Sequence, residues 1–205
     1  MDADLHVEPL QPAAREVAVG VLARAFRDNP LDRAVIGPDV DLRLRSIGYG
    51  MRASLQLASG RCSALLGSRA GSPAGVLLAL PPGSFPLPSP GLFVHLRSVL
   101  GQGLRVSARW GVAYRALEAV HPVEPHWYLS LLGVDPPHRR CRVGSGLLRF
   151  WLEVVDRDAL PSYLETDREE NVAFYERVGF AVQLELKVFE TPIWCMRRAA
   201  SAGLS

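Results

Sequence analysis

Cysteine is scarce in this chain. Among 205 residues there are three, Cys62, Cys141 and Cys195, far apart and with no CxxC pair. Their odd number and wide spacing argue against a disulfide framework and against a structural zinc site, so no metal is expected. A reducing compartment, the cytoplasm, fits that usage. Long apolar runs are missing too: no stretch of about 18 apolar residues exists, and no transmembrane helix is expected. The start, MDADLHVEPL, carries acidic residues where a signal peptide is basic, and no apolar segment follows. A strong net charge is also lacking. At +2 it gives no reason to expect a nucleic-acid or membrane partner.

The residues present are those of a globular protein. Hydrophobic residues make up 48% and charged residues 21%, which argues against disorder. A chain of this length buries roughly 70% of its unfolded surface and needs no covalent staple. It reads as one domain with a helical insert at about 85–120.

Residues 5–10 read as a first strand and 12–26 as a helix, broken by Asp28-Asn29-Pro30. A second helix is expected over 41–57, and two buried strands over 62–67 and 74–80. The proline-rich PPGSFPLPSPG at 81–91 cannot be regular. From 92 to 120 apolar residues recur at helical spacing, but Gly101, Gly103 and Gly111 favour two or three short helices over one. WYLSLLGV at 127–134 is an apolar strand. Leu147, Leu148, Trp151, Val154 and Val155 share one helix face, 161–166 is a strand, and 169–178 a helix. Two closing strands, 180–189 and 193–198, flank an expected turn at Thr191-Pro192. This alternation predicts an α/β (α+β) fold with a single mixed sheet of six or seven strands and helices on both faces.

Chemistry concentrates after the strand 127–134. Strand, basic glycine loop and helix start together form a recipe for an anion site, because the first helical N–H groups lack partners and the dipole is positive there. Gly144 and Gly146 permit close backbone approach, and Arg139, Arg140 and Arg142 add charge. A solvated surface loop is the plain alternative. The chain holds no GxxxxGK[ST], and Gly144-Ser145-Gly146 does not open an early βαβ unit, so neither a Walker loop nor a dinucleotide fingerprint is present.

VDPPHRRCRVGSGLL, residues 134–148, resembles the coenzyme-A loop of the GNAT N-acyltransferases. NVAFYERVGF, residues 171–180, is similar to that superfamily's second motif. The wider run of 126–198, with FRDNP at 26–30, resembles the puromycin N-acetyltransferase-like branch. The resemblance implies a splayed GNAT-like sheet, acetyl-CoA as acyl donor, and direct transfer of acetyl to a primary amine of a small molecule. The insert would then roof the acceptor site. Rival expectations are a protein N-terminal or lysine acetyltransferase, an inactive coenzyme-A-binding module, and an arginine-rich nucleic-acid binder. A homodimer is a further expectation.

The resemblance also distributes roles. The pyrophosphate would lie on Arg139, Arg140, Arg142, Val143, Gly144, Ser145 and Gly146. The pantetheine arm would pair with the backbone of Leu132, Gly133 and Val134 as an added strand does. Arg142 stands where the family has its first glycine; if that position needs positive φ, the arginine costs on the order of 1 kcal/mol. Tyr175 is the candidate acid for the leaving thiolate, with a packed core tyrosine as the alternative. Asn171, one turn earlier, is a candidate for the cofactor's amide arm or a plain first-turn residue. Strand alternation sets Tyr163 and Glu165 on one side and Leu164 on the other, making Glu165 a candidate base. Glu124 and His126 are lesser candidates. Trp127, Trp151 and Trp194 read as core, and Cys141 lacks the paired base that a nucleophile needs.

Overall fold

A computed structural model describes residues 4–57, 63–86 and 99–201. Its strands are β1 (Leu5–Pro9), β2 (Ser63–Arg69), β3 (Ser72–Leu80), β4 (Trp127–Val134), β5 (Ser162–Thr166), β6 (Phe180–Val188) and β7 (Thr191–Arg198). They form one sheet in the order β1-β2-β3-β4-β5-β7-β6. Neighbours run antiparallel except for β4 and β5, which are parallel. The helices are α1 (Arg15–Phe26), α2 (Pro30–Ile36), α3 (Val40–Leu57), α4 (Leu104–Glu118), α5 (Val143–Asp158) and α6 (Glu169–Glu176).

Both faces of the sheet are covered, and side-chain alternation shows how. In β3, Leu77 and Ala79 pack under α5 with Leu147, Leu148 and Trp151. The intervening Val76 and Leu78 pack under α1 with Val21 and Leu22. β2 divides the same way, Leu65 toward α5 and Leu66 toward α1. A strand buried on both faces reads as a continuous apolar run, which is why AGVLLAL has no polar position. A third cluster joins Val35 and Ile36 of α2, Ile47 of α3, Val106 and Ala113 of α4, and Val188 and Ile193 of the last hairpin. It ties α4 to the α1 side of the sheet. Leu147, Leu148, Trp151 and Val155 of α5 are wholly buried. The two tryptophans Trp127 and Trp151 meet edge to face at 6.5 Å in that core, as a core reading requires.

β4 carries an extra residue. Its register against β3 runs Leu78↔Leu131 and then Ala79↔Leu129, which leaves Ser130 as a bulge. The bulge exchanges the two faces: Trp127 and Leu129 point toward α5 before it, Leu132 and Val134 after it.

Several expectations change. Over 92–120 the described residues are helical at 99–102 and again in α4, with the break at Gly103, so more than one helix is present as expected; only Gly111 fails to interrupt, because packing of Val106 and Ala113 in the third cluster outweighs its propensity. Pro30 starts a helix, α2, as well as breaking α1, because the fixed φ of proline suits a first helical position. The final turn lies at Phe189-Glu190, with φ of 50° and 62°, and Thr191-Pro192 open β7. Two left-handed residues suit a tight hairpin whose twist matches its strands. The part of the insert at 87–98 and Cys62 lie outside the described residues.

Candidate active site

The sheet is forked at β4–β5. The two strands pair only at Trp127↔Ser162 and Tyr128↔Tyr163. Beyond Tyr128, β4 still pairs with β3 as far as Val134, but has no β5 partner in that register. Backbone groups of Leu132, Gly133 and Val134 therefore border an open edge inside the sheet, where an extended ligand can add as a strand. Gly133 also has a packing reason. A Cβ there would come within 2.8 Å of Leu22 and 3.1 Å of the Ala25 Cβ, so glycine lets α1 lie close to β4.

At the mouth of the fork the 139–146 loop coils into α5. Arg140 and Arg142 are both left-handed, with φ of 61° and 58°. Arg142 is the N-cap of α5, and no side chain caps this end. The first helical bond here is Gly146 N–H to the Arg142 carbonyl, 2.9 Å. The N–H groups of Val143, Gly144 and Ser145 precede it, which makes them donors for an anion. Arg140, Arg142 and Ser145 are exposed. Among the described residues neither Arg140 nor Arg142 has an ion-pair partner. Val143 turns its side chain into the core and has only its backbone to offer.

Two of the expected phosphate ligands have other work in this structure. Arg139 Nη2 donates to the Ala25 carbonyl at 2.9 Å and so closes the C-terminal end of α1. Gly146 spends its N–H within the helix, and a Cβ there would overlap Leu5 Cδ2; its small size seats α5 against β1. Asp135, buried at the base of the loop, takes a forked pair from Arg24.

Past the fork, β5 presents different groups on its two faces. Leu164 joins the α5-side core, which also contains Tyr175. Tyr175 lies in the last turn of α6 between Phe174 and Phe180, with ring centroids 5.0 and 5.9 Å away. Burial pushes its phenol well above the ordinary value, so it keeps its proton. Asn171, at the start of α6, donates from Nδ2 to Thr166 Oγ1 at 3.1 Å and ties the helix to the end of β5.

On the opposite face stand Tyr163 and Glu165, in a pocket of aromatic rings. Glu165 Oε1 is 3.5 Å from His121 Nδ1, and both side chains are nearly buried. His121 is stacked by Phe85 at 3.7 Å and met edge-on by Tyr128 and Tyr163 at 4.8 and 4.9 Å. Burial first, and then the Glu165 charge, raise the phenols of Tyr128 and Tyr163. His126, a lesser candidate in the sequence, touches His121; Glu124 is exposed and supplies its backbone carbonyl. Glu165 and Tyr175 thus belong to opposite faces of the sheet, with the fork between them. Sequence reasoning did not single out His121. Its signal was weak: two histidines five apart in a proline-bounded segment before a buried strand.

Residues 102–180 match the sequence profile of the Acetyltransferase (GNAT) family. This matched stretch runs from α4 through α6, and so contains the fork and the 139–146 loop. Solved structures share its fold. A histone acetyltransferase HPA2 and related acetyltransferase from Corynebacterium glutamicum superposes with a TM-score of 0.77 at 21% identity, over 98% of this chain and 99% of that one. The PaiA N-acetyltransferase from Thermoplasma acidophilum, solved with coenzyme A, gives 0.59 at 11% over 95% and 98%. The ribosomal-protein-S18-alanine N-acetyltransferase from Escherichia coli gives 0.57 at 12% over 98% and 99%. GNAT acetyltransferases use acetyl-CoA as acyl donor. The residues present fit it: an unpaired strand edge for the extended arm, and an uncapped helix start flanked by unpaired arginines for the phosphates. Among the described residues no helix is long and apolar enough to cross a membrane, and no cluster of His, Cys, Asp or Glu could hold a metal ion.

Proposed function

We propose that this protein transfers acetyl from acetyl-CoA to the primary amine of a small molecule, by direct attack with both substrates bound. The observation that carries the reading is the fork between β4 and β5, with a carboxylate on one face and a buried, protonated tyrosine on the other. The thioester supplies an activated acyl carbon. The chain supplies the rest. Leu132, Gly133 and Val134 offer backbone partners to the donor's arm, and Asn171 a side-chain amide. The N–H groups of Val143, Gly144 and Ser145, with Arg140 and Arg142, take the pyrophosphate. Glu165 removes a proton from the acceptor's ammonium group, and Tyr175 supplies one to the leaving sulfur.

A small acceptor is favoured by enclosure. The Glu165 side chain is about 9% exposed and faces His121, Tyr128 and Tyr163, and Phe85 stacks on the same His121 ring. α4 leads directly into this wall and is clamped by Arg109, which donates to the carbonyls of Ala34 and Val35. Among the described residues Cys141, half-buried, and Cys195, buried, are free thiols, which suits the reducing cytoplasm.

Thiol release from acetyl-CoA, measured against small primary amines (puromycin included) and against peptides with a free N-terminus or an internal lysine, tests this. Turnover with small amines is the expected result. Turnover confined to the peptides would replace the acceptor class, and none with any amine would leave a coenzyme-A-binding module.

A further inference from the structure

Glu165 does not stand alone. Its Oε1 and His121 Nδ1 face each other at 3.5 Å, and both atoms are buried with no hydrogen-bond partner. On the far side of the ring, His121 Nε2 lies 3.0 Å from His126 Nε2, and His126 Nδ1 lies 2.6 Å from the Glu124 carbonyl oxygen.

These contacts determine where the protons sit. A carbonyl oxygen only accepts, so His126 Nδ1 carries hydrogen. Burial, the largest influence, holds His126 below its ordinary pKa, and the ring is neutral. Its Nε2 is then a lone pair. For the 3.0 Å contact to be a hydrogen bond, His121 Nε2 must be the donor. With Nε2 as the donor, Nδ1 of an uncharged imidazole is a lone pair aimed at Oε1. Two acceptors face each other across a gap longer than the 2.7–3.2 Å of an N–H···O bond. A single proton between them converts this opposition into a charge-assisted bond. The rings of Phe85, Tyr128 and Tyr163 hold the imidazole in that plane.

We infer that His121 is a positioning residue for the acetyl transfer: with Glu165 it forms one proton-accepting pair, whose tautomer is set by His126 and the Glu124 carbonyl. This rests on the acetyl-transfer reading above. The acceptor's ammonium gives one proton to Glu165, and His121 Nδ1 shares it. The freed nitrogen lone pair forms the C–N bond as the C–S bond breaks. Tyr175 passes its proton to the leaving sulfur, and the nitrogen's second surplus proton is lost to water as the amide forms. The Tyr175 phenolate regains a proton from water, and the pair returns its own proton to water before the next turnover. The groups facing the pair are Tyr128 of β4, Tyr163 of β5, Cys195 and Arg197 of β7, and His126 and Glu124 of the connecting segment.

Two variants and one spectrum test it. His121→Gln keeps a donor toward His126 but removes the acceptor facing Glu165. Its kcat/KM should fall at least tenfold, with the acidic limb of the pH profile displaced and acetyl-CoA affinity unchanged by calorimetry. His121→Asn places an amide oxygen near the Nδ1 position and should recover part of that loss. Nitrogen-15 spectra of the wild-type protein at pH 8 should show neutral His121 protonated at Nε2; this measurement needs no substrate and no variant that folds. Protonation at Nδ1 instead, or a folded Gln variant with an unchanged pH profile, would overturn the proposal. Failure to acetylate any amine would remove the activity reading, and with it the proton-accepting role, whatever the tautomer.

Discussion

Arg24 of α1 reaches across to Asp135 at the foot of the 139–146 loop, with Nε 3.0 Å from Oδ1 and Nη2 2.5 Å from Oδ2. A fork of this geometry couples α1, packed on one face of the sheet, to the segment that turns into α5. Asp135 is buried, whereas Arg24 is half-exposed. Removing the arginine leaves a buried carboxylate without its partner. Arg24→Ala should therefore destabilise the protein by about 1–3 kcal/mol, and should weaken acetyl-CoA binding through the loop it anchors. Denaturant unfolding and calorimetry read the two effects. A stable variant with normal affinity would show that the fork is dispensable.

Arg142 sits at φ 58° where glycine is at ease. Arg142→Gly relieves on the order of 1 kcal/mol of left-handed cost, and loses about 0.4–1 kcal/mol through the freer unfolded chain. The midpoint of unfolding should thus barely move, and any change in affinity reports the guanidinium itself. Because Arg140 remains exposed beside it, we expect acetyl-CoA affinity to stay within threefold. A loss of tenfold or more would assign the side chain a phosphate contact.

Gly144 has room for one methyl. A Cβ would stand 3.4 Å from Val134 Cγ2 and 3.8 Å from Phe174 Cζ, both ordinary contacts. Gly144→Ala should fold normally. Gly144→Val adds bulk at the helix start, where the anion approaches, and should weaken acetyl-CoA by tenfold or more, at least ~1.4 kcal/mol. Equal affinities for the valine variant and the parent would remove this loop from the cofactor site.

Much of this architecture is legible from residue order. AGVLLAL declares a strand covered on both faces, and the alternation in PSYLET separates Leu164 from Tyr163 and Glu165. The fork is implied by the resemblance but not by residue order itself, because it depends on how far two strands remain paired. Nor is the bulge, because WYLSLLGV has the same composition with or without an unpaired Ser130. Arg139 reads as a phosphate ligand because its neighbours are arginines, whereas its bond to Ala25, 114 residues away in sequence, belongs to the tertiary fold and has no local signal. The pairing of His121 with Glu165 is hidden for the same reason.

Asp32 gives a stability test that is independent of catalysis. Burial, and next the nearby charge of Asp167, raise its pKa well above the ordinary value. The sign follows from linkage. A carboxyl whose folded pKa exceeds its unfolded one binds protons more tightly when folded, so stability falls as pH rises from the unfolded pKa through the folded one. Asp32→Asn cannot ionise. It should melt at a higher temperature than the parent at pH 7, and the advantage should shrink as the pH is lowered toward 4. An advantage that does not vary with pH would mean that the charge at position 32 is not the cause.

Tyr175 separates chemistry from packing. Its ring is held between Phe174 and Phe180 in the α5-side core, and its raised pKa keeps the hydroxyl protonated throughout the neutral range. A proton donor must hold its proton until the leaving group needs it, so burial suits the role. Tyr175→Phe keeps the ring and its contacts and removes only the hydroxyl. A positioned acid contributes about 10²–10⁴-fold to rate, but a thiolate is a good leaving group and water can supply a proton, so the loss should fall toward the lower end, at least about tenfold in kcat. Acetyl-CoA affinity should not change. Were the tyrosine only a packing residue, turnover would stay normal and any effect would appear in the melting temperature. Both quantities are measured on one purified variant, with an acceptor identified by thiol release and held at saturation. Normal kcat there would exclude Tyr175 as the acid and leave the proton on sulfur to come from solvent.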